Sequence, residues 1–194
     1  MRKIRLGVLG SGSGSNFQAL LDASQSGTLD AQIVLVLSDV VGAGILDRAR
    51  NAKIPTGLID CRDCASKFPL EAQQETAGTL KKAAVDLVCL AGFMRMIKSP
   101  LLDAFPGRII NIHPSLLPAF PGLEAWKQAL DAGVGETGCT VHYVDAGMDS
   151  GEIILQAAVP VLADDTATTL HARIQQQEHR IYPLAVNKIA ATIP

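Results

Sequence analysis

The sequence predicts an α/β fold whose N-terminal part is a parallel sheet with helices on both faces. Three observations carry this: apolar runs of strand length, helical stretches alternating with them, and a change of pattern after Gly122. Continuous apolar strands separated by helices mean parallel β-α-β crossovers, which bury the sheet on both sides. Strands are expected at Ile4 to Leu9, Ile33 to Leu37, Thr56 to Ile59 and Asp86 to Leu90, with helices beginning at Asn16, from Gly44 to Ala52 and from Glu71 to Ala84. Beyond Gly122 the order is a helix, Leu123 to Ala132, then strands Gly138 to Val144 and Ile153 to Val161. The short connection between those strands, Asp145 to Gly151, favours an antiparallel pair, so the C-terminal part is mixed. A long helix from about Thr166 to Ala191 follows, with Leu170, Ile174, Ile181 and Ala185 on one stripe. Pro183 is expected to kink it, and Asp164 and Asp165 are capping candidates.

A chain of 194 residues without repeats or an evident linker suits a single domain, 1–194. Net charge is −2, with no basic stripe, so neither nucleic acid nor a membrane surface is an expected partner. The N-terminal apolar run is too short for a membrane span or a signal peptide, which points to the cytoplasm. Cys61 and Cys64 form a C-x-x-C, but no second pair and no suitably spaced histidines complete a zinc site. They are expected to be incidental thiols, and no metal is expected.

The segment Asn111-Ile112-His113-Pro114-Ser115-Leu116-Leu117-Pro118-Ala119-Phe120-Pro121-Gly122 follows the apolar Ile109-Ile110. In a strand, alternation puts Asn111 and His113 on one face. An amide donor can stabilise a developing oxyanion, and an imidazole moves protons near neutral pH, so the pair suits carbonyl chemistry. Pro114 holds His113 extended, and three prolines stiffen the loop that follows. A strand end with a solvated Asn and a core histidine is the plain alternative for an isolated pair.

Between the first strand and first helix lies Gly10-Ser11-Gly12-Ser13-Gly14-Ser15. Such a loop offers backbone N–H groups and a helix dipole to an anion. The dinucleotide spacing G-x-G-x-x-G fails, because Ser15 or Phe17 stands where the last glycine is required, and no Walker A lysine follows. A site for a simpler phosphate remains, with Ser13, Ser15 and Asn16 as added donors. Glu178 breaks the apolar stripe of the last helix, where a carboxylate needs a donor or cationic partner.

Gly12-Ser13-Gly14-Ser15-Asn16, Leu90-Ala91-Gly92-Phe93-Met94-Arg95, Asn111 to Gly122, Asp145 to Gly151 and Gln177-Glu178-His179 occur in register across nearly the whole chain. Together they closely resemble the phosphoribosylglycinamide formyltransferase family. The resemblance implies a Rossmann-like formyltransferase fold in which 10-formyltetrahydrofolate, as co-substrate, donates its formyl group to the amine of glycinamide ribonucleotide. It implies a catalytic trio of Asn111, His113 and Asp149. It places the ribonucleotide at Gly14, Ser15, Asn16, Gln175 and Glu178. The folate pocket it implies comprises Leu90, Met94, Arg95, Met96 and Ile97, Asn111, and Asp145, Ala146, Gly147, Met148 and Asp149. Residues 1–100 would form a phosphate-binding half and 101–194 a catalytic and folate-binding half. A cis Leu117–Pro118 bond and a monomer or homodimer are also expected. Where relatives carry an arginine near the folate's glutamate tail, this chain has Ser66-Lys67-Phe68-Pro69-Leu70, so Lys67 is the candidate replacement.

The nearest rival is formyltetrahydrofolate deformylase, which delivers the formyl group to water. Its extra N-terminal domain finds no room before Ile4, and the phosphate loop argues for a phosphorylated acceptor. Methionyl-tRNA formyltransferase carries a further C-terminal domain for tRNA, not expected here. A nucleotide-binding oxidoreductase or binding module is the reading from a different class, with Asp39 as its ribose-binding acid.

Overall fold

A computed structural model describes residues 3–62, 64 and 67–193. Asp63 of the C-x-x-C and Ser66 beside Lys67 lie outside the described residues, as do Met1, Arg2 and Pro194. The elements in order are β1 (Ile4–Leu9), α1 (Ser15–Gln25), β2 (Ala31–Ser38), α2 (Gly44–Asn51), β3 (Thr56–Leu58), α3 (Leu70–Lys82), β4 (Leu87–Leu90), α4 (Leu101–Ala104), β5 (Ile109–His113), α5 (Ala125–Asp131), β6 (Glu136–Tyr143), β7 (Ile153–Pro160) and α6 (Ala167–Ala190). They build one seven-stranded sheet of order β3-β2-β1-β4-β5-β6-β7.

Strands β1 to β5 run parallel, and β6 is antiparallel to both β5 and β7. The antiparallel region therefore begins one strand earlier than the predicted pair. Alternation along β1 divides the core between the two faces. Ile4, Leu6 and Val8 pack with Phe17 and Leu20 of α1, Ile45 and Leu46 of α2, and Leu170, Ile174 and Tyr182 of α6. Leu9 lies in the second cluster, with Ala72, Ala77 and Leu80 of α3 and Leu101 of α4. Gly7 faces that side too, where an added Cβ would come within 2.6 Å of Leu80.

Two local expectations are corrected. The N-cap of α6 is Thr166, which accepts from the Thr169 N–H while the Thr169 hydroxyl accepts from the Thr166 N–H, a reciprocal capping box. Asp165 instead accepts from the Leu162 N–H, the Thr169 hydroxyl and the Arg173 guanidinium. Helix α4 was not expected at all, because four residues are too few for helical periodicity to show. Leu117–Pro118 is cis, as expected, and Ser99–Pro100 is cis as well.

The sheet order reverses direction between β1 and β4, its topological switch point, and in open parallel sheets the crevice at the carboxyl ends of the strands is where ligands enter. The Gly/Ser loop after β1, the segment after β4 and the carboxyl end of β5 all lie at that end.

Candidate active site

Gly14 is the N-cap of α1 with φ 78°, in the left-handed region that glycine adopts without strain. No side chain caps the helix, so the orphan N–H groups of its first turn remain open to an anion. A Cβ at Gly14 would lie 2.7 Å from the Cα of Ile45, so this position excludes side chains on two counts. Gly14→Val should therefore distort the loop and raise the Michaelis constant for a phosphorylated substrate far more than that for its co-substrate. Equal changes in both, in a variant with a normal melting transition, would contradict a dedicated phosphate role.

Next to this loop, Asn16 Nδ2 donates to Glu178 Oε2 at 3.0 Å, joining α1 to α6 across 162 positions of sequence. Glu178 is only 4% exposed, and no basic side chain among the described residues pairs with it. Burial pushes its carboxyl up to about 7 despite the Asn16 hydrogen bond. Asn16 Oδ1 is buried without a partner. Two acceptors short of donors beside a phosphate-ready helix end suit a ligand that brings an amine or hydroxyl. Gln175 sits one turn before Glu178, on the same side of α6.

The register of β5 places Asn111 between Leu90 of β4 and His142 of β6. Asn111 Nδ2 lies 3.3 Å from His142 Nε2, and His142 Nδ1 lies 2.9 Å from the Tyr143 carbonyl oxygen. That carbonyl only accepts, so the His142 proton sits on Nδ1 and Nε2 accepts from the Asn111 amide. Burial lowers the His142 pKa, which keeps the ring neutral and the arrangement intact near pH 7. One amide hydrogen of Asn111 is thereby anchored and the other is left for a ligand oxygen.

His113 and Asp149 complete the cluster. His113 Nε2 donates to the Phe120 carbonyl oxygen at 2.9 Å, and Nδ1 faces Asp149 Oδ2 at 3.4 Å. The same carboxylate oxygen accepts from the Gly122 N–H at 2.8 Å, and Oδ1 lies 3.7 Å from His142 Nε2. Asp149 adopts φ 51°, a left-handed conformation that non-glycine residues seldom take and that collects at functional sites. Side-chain exposure is 5% for His113 and 15% for Asp149, so the carboxylate is the more open of the two. The imidazole thus has Nε2 committed to a carbonyl and Nδ1 turned towards Asp149 rather than towards open solvent.

The pocket segments come together only in part. Met94, Met96 and Met148 present exposed apolar side chains, and Lys98 Nζ donates to the Ala146 carbonyl oxygen at 2.9 Å, tying the two segments to each other. Asp145 Oδ1 accepts from the Gly147 N–H and the Ser150 hydroxyl, which organises the loop ahead of Asp149. Leu90 and Ile97 are exceptions, because both side chains are buried in the cluster under α3. The Arg95 guanidinium is engaged as well, by Asp39 at 2.6 Å and by the Cys64 and Lys67 carbonyl oxygens. Asp39, its side chain 4% exposed, also accepts from the Ser11 hydroxyl, so it is not open to a ribose. Lys67 is exposed, and Cys61 and Cys64 are free thiols.

Sequence reasoning missed His142 and the Phe120 carbonyl. The first could have been found by pairing β5 with β6, but only had their antiparallel register been known. The second depends on loop geometry that carries no residue signature.

An uncapped helix N-terminus and a cluster of amide, imidazole and carboxylate groups thus share the carboxyl end of the sheet. The chain belongs to the formyl transferase family, which it matches over residues 4–186. It is 42% identical over 185 residues to phosphoribosylglycinamide formyltransferase of Bacillus subtilis, covering 95% of this chain and 94% of that protein. It is 50% identical over 187 residues to the trifunctional purine biosynthetic protein adenosine-3 of Drosophila melanogaster, covering 95% of this chain but 14% of that longer protein. The crystal structure of glycinamide ribonucleotide transformylase 1 from Symbiobacterium toebii superposes with a TM-score of 0.94 at 51% identity, covering 98% of this chain and 89% of that one. A formyltetrahydrofolate deformylase from Pseudomonas syringae shares the fold at 26% identity, with 62% of its chain covered. Among the described residues, no helix is long and apolar enough to cross a membrane.

Proposed function

We propose that the chain transfers the formyl group of 10-formyltetrahydrofolate to the amine of glycinamide ribonucleotide, in the cytoplasm. The observation that carries this reading is the Asn16–Glu178 contact, which sets a donor-seeking carboxylate against the uncapped N-terminus of α1. That combination suits a ligand with a phosphate at one end and donors a few ångströms away. Relatives bearing the transferase name match at higher identity than the deformylase does.

In the reaction the amine nitrogen attacks the formyl carbon and the carbonyl oxygen gains negative charge. The free amide hydrogen of Asn111 stabilises it, held in place by His142. The attacking nitrogen then loses a proton, the folate nitrogen gains one, and the bond between that nitrogen and the formyl carbon breaks. Asp149, the more open member of its pair, faces the reacting nitrogens, and the His113 imidazole behind it accepts and returns the proton. Met94, Met96 and Met148 cover the flat rings of the folate, and Arg95 shapes the pocket through Asp39 rather than by reaching the ligand.

Absorbance of the folate tests the reading. Formylfolate should be consumed only when glycinamide ribonucleotide is present, in equal amounts. Consumption at the same rate without the ribonucleotide would assign the chain to hydrolysis instead.

A further inference from the structure

We infer that Arg48 of α2 is a positioning residue for the phosphate loop, an inference that rests on the loop's proposed role. Arg48 Nε donates to the Ser13 carbonyl oxygen at 2.8 Å, and Nη1 donates to Gln18 Oε1 at 3.0 Å. A single guanidinium thus grips the loop and the first turn of α1 together. The Ile45 N–H, at the start of the same helix α2, donates to the Gly12 carbonyl oxygen at 3.1 Å.

The consequence follows from peptide geometry. In a planar trans peptide the carbonyl and the following N–H point in opposite directions. Anchoring the Gly12 and Ser13 carbonyls on α2 turns the Ser13 and Gly14 N–H groups away from it, and these are donors that a loop-bound anion requires. Close packing leaves little alternative. A Cβ on Gly44 would lie 3.1 Å from the Ser13 oxygen, and one on Gly14 would meet Ile45. Helix α2 is therefore the template against which the loop is shaped, with Arg48 supplying a side-chain contact beside the backbone one of Ile45.

Arg48 is exposed, so its replacement leaves the core untouched. In Arg48→Met, the Michaelis constant for glycinamide ribonucleotide should rise about tenfold or more, as expected for losing charge-assisted hydrogen bonds that order a binding loop. The inhibition constant of inorganic phosphate, competing with the ribonucleotide, should rise by the same factor. Turnover at saturation and the formylfolate constant should change far less, and the melting temperature should hold. Arg48→Lys should recover part of the loss, since an ammonium can reach one of the two acceptors but not span both. Unchanged ribonucleotide and phosphate constants in Arg48→Met, or equal rises for both substrates, would overturn the inference. Gly14→Val separates the loop's phosphate role from the positioning role of Arg48. If it weakens ribonucleotide binding while Arg48→Met does not, the positioning role alone fails. If neither variant affects it, the loop's phosphate role fails too.

Discussion

Replacing His113 or Asn111 by alanine is expected to lower turnover by about a hundredfold or more, the range seen when an oxyanion donor or a proton-transfer group is lost. The two losses have different origins. Asn111→Ala removes the amide that His142 anchors and that is proposed to meet the reacting oxygen, so the ground-state complex should form with little change in either Michaelis constant. His113→Ala leaves the Asp149 carboxylate held by the Gly122 N–H but without its proton acceptor. Removing His113 also vacates the Phe120 carbonyl, which the Ser115 hydroxyl continues to reach at 3.3 Å, so the loop keeps a partner. Steady-state kinetics on both variants, with a melting curve to establish folding, makes the comparison. Turnover near that of the unaltered protein in both would remove the cluster from the chemistry.

The second large effect is expected at Glu178, where binding and stability should move in opposite directions. Glu178→Gln keeps the shape and the contact with Asn16 but removes the charge. Ribonucleotide binding should weaken by ~1.5–3 kcal/mol, the contribution of a hydrogen bond to a charged group, with folate affinity nearly unchanged. Stability shows the converse. The folded-state pKa of Glu178 is raised by burial, so its contribution to stability is fully present below the ordinary carboxylate range and is lost as pH rises through about 7. The glutamine does not titrate, so at pH 8 the variant should be the more stable protein, by on the order of 3 kcal/mol. At pH 4.5 the difference should be small. Calorimetry of ribonucleotide binding and melting curves across that pH range check both halves. Unaltered binding together with reduced stability at pH 8 would make Glu178 a structural group. Under the proposed function, the buried carboxylate is a cost that the ribonucleotide offsets by supplying the missing donor.

Where local chemistry decides an element, the sequence was readable. The apolar runs of β1 and β4 and the alternation that puts Asn111 and His113 on one face of β5 required only short-range pattern. The break of the last helix's stripe at Glu178 was visible for the same reason. What escaped depends on contacts between distant segments. The pairing of β6 with β5 brings His142 to Asn111 from 31 positions away, and nothing in either strand alone announces it. The position of Arg95 alone does not show that its guanidinium turns to Asp39, where two buried opposite charges satisfy one another. The Leu90 side chain likewise packs in the core under α3, because β4 is buried on both faces. The capping of α6 was misplaced by one residue because Asp165 and Thr166 are both good caps, and Arg173 draws the aspartate away.

The formyl carbon is expected to pass directly to an amine held beside Glu178. Carbon-13 in the formyl group of 10-formyltetrahydrofolate, followed by NMR with the protein and glycinamide ribonucleotide, tests it most directly. The label is expected to appear as a formamide carbon on the ribonucleotide, in step with loss of the folate signal and with no free formate. Label accumulating as formate, with the ribonucleotide unchanged, would contradict it.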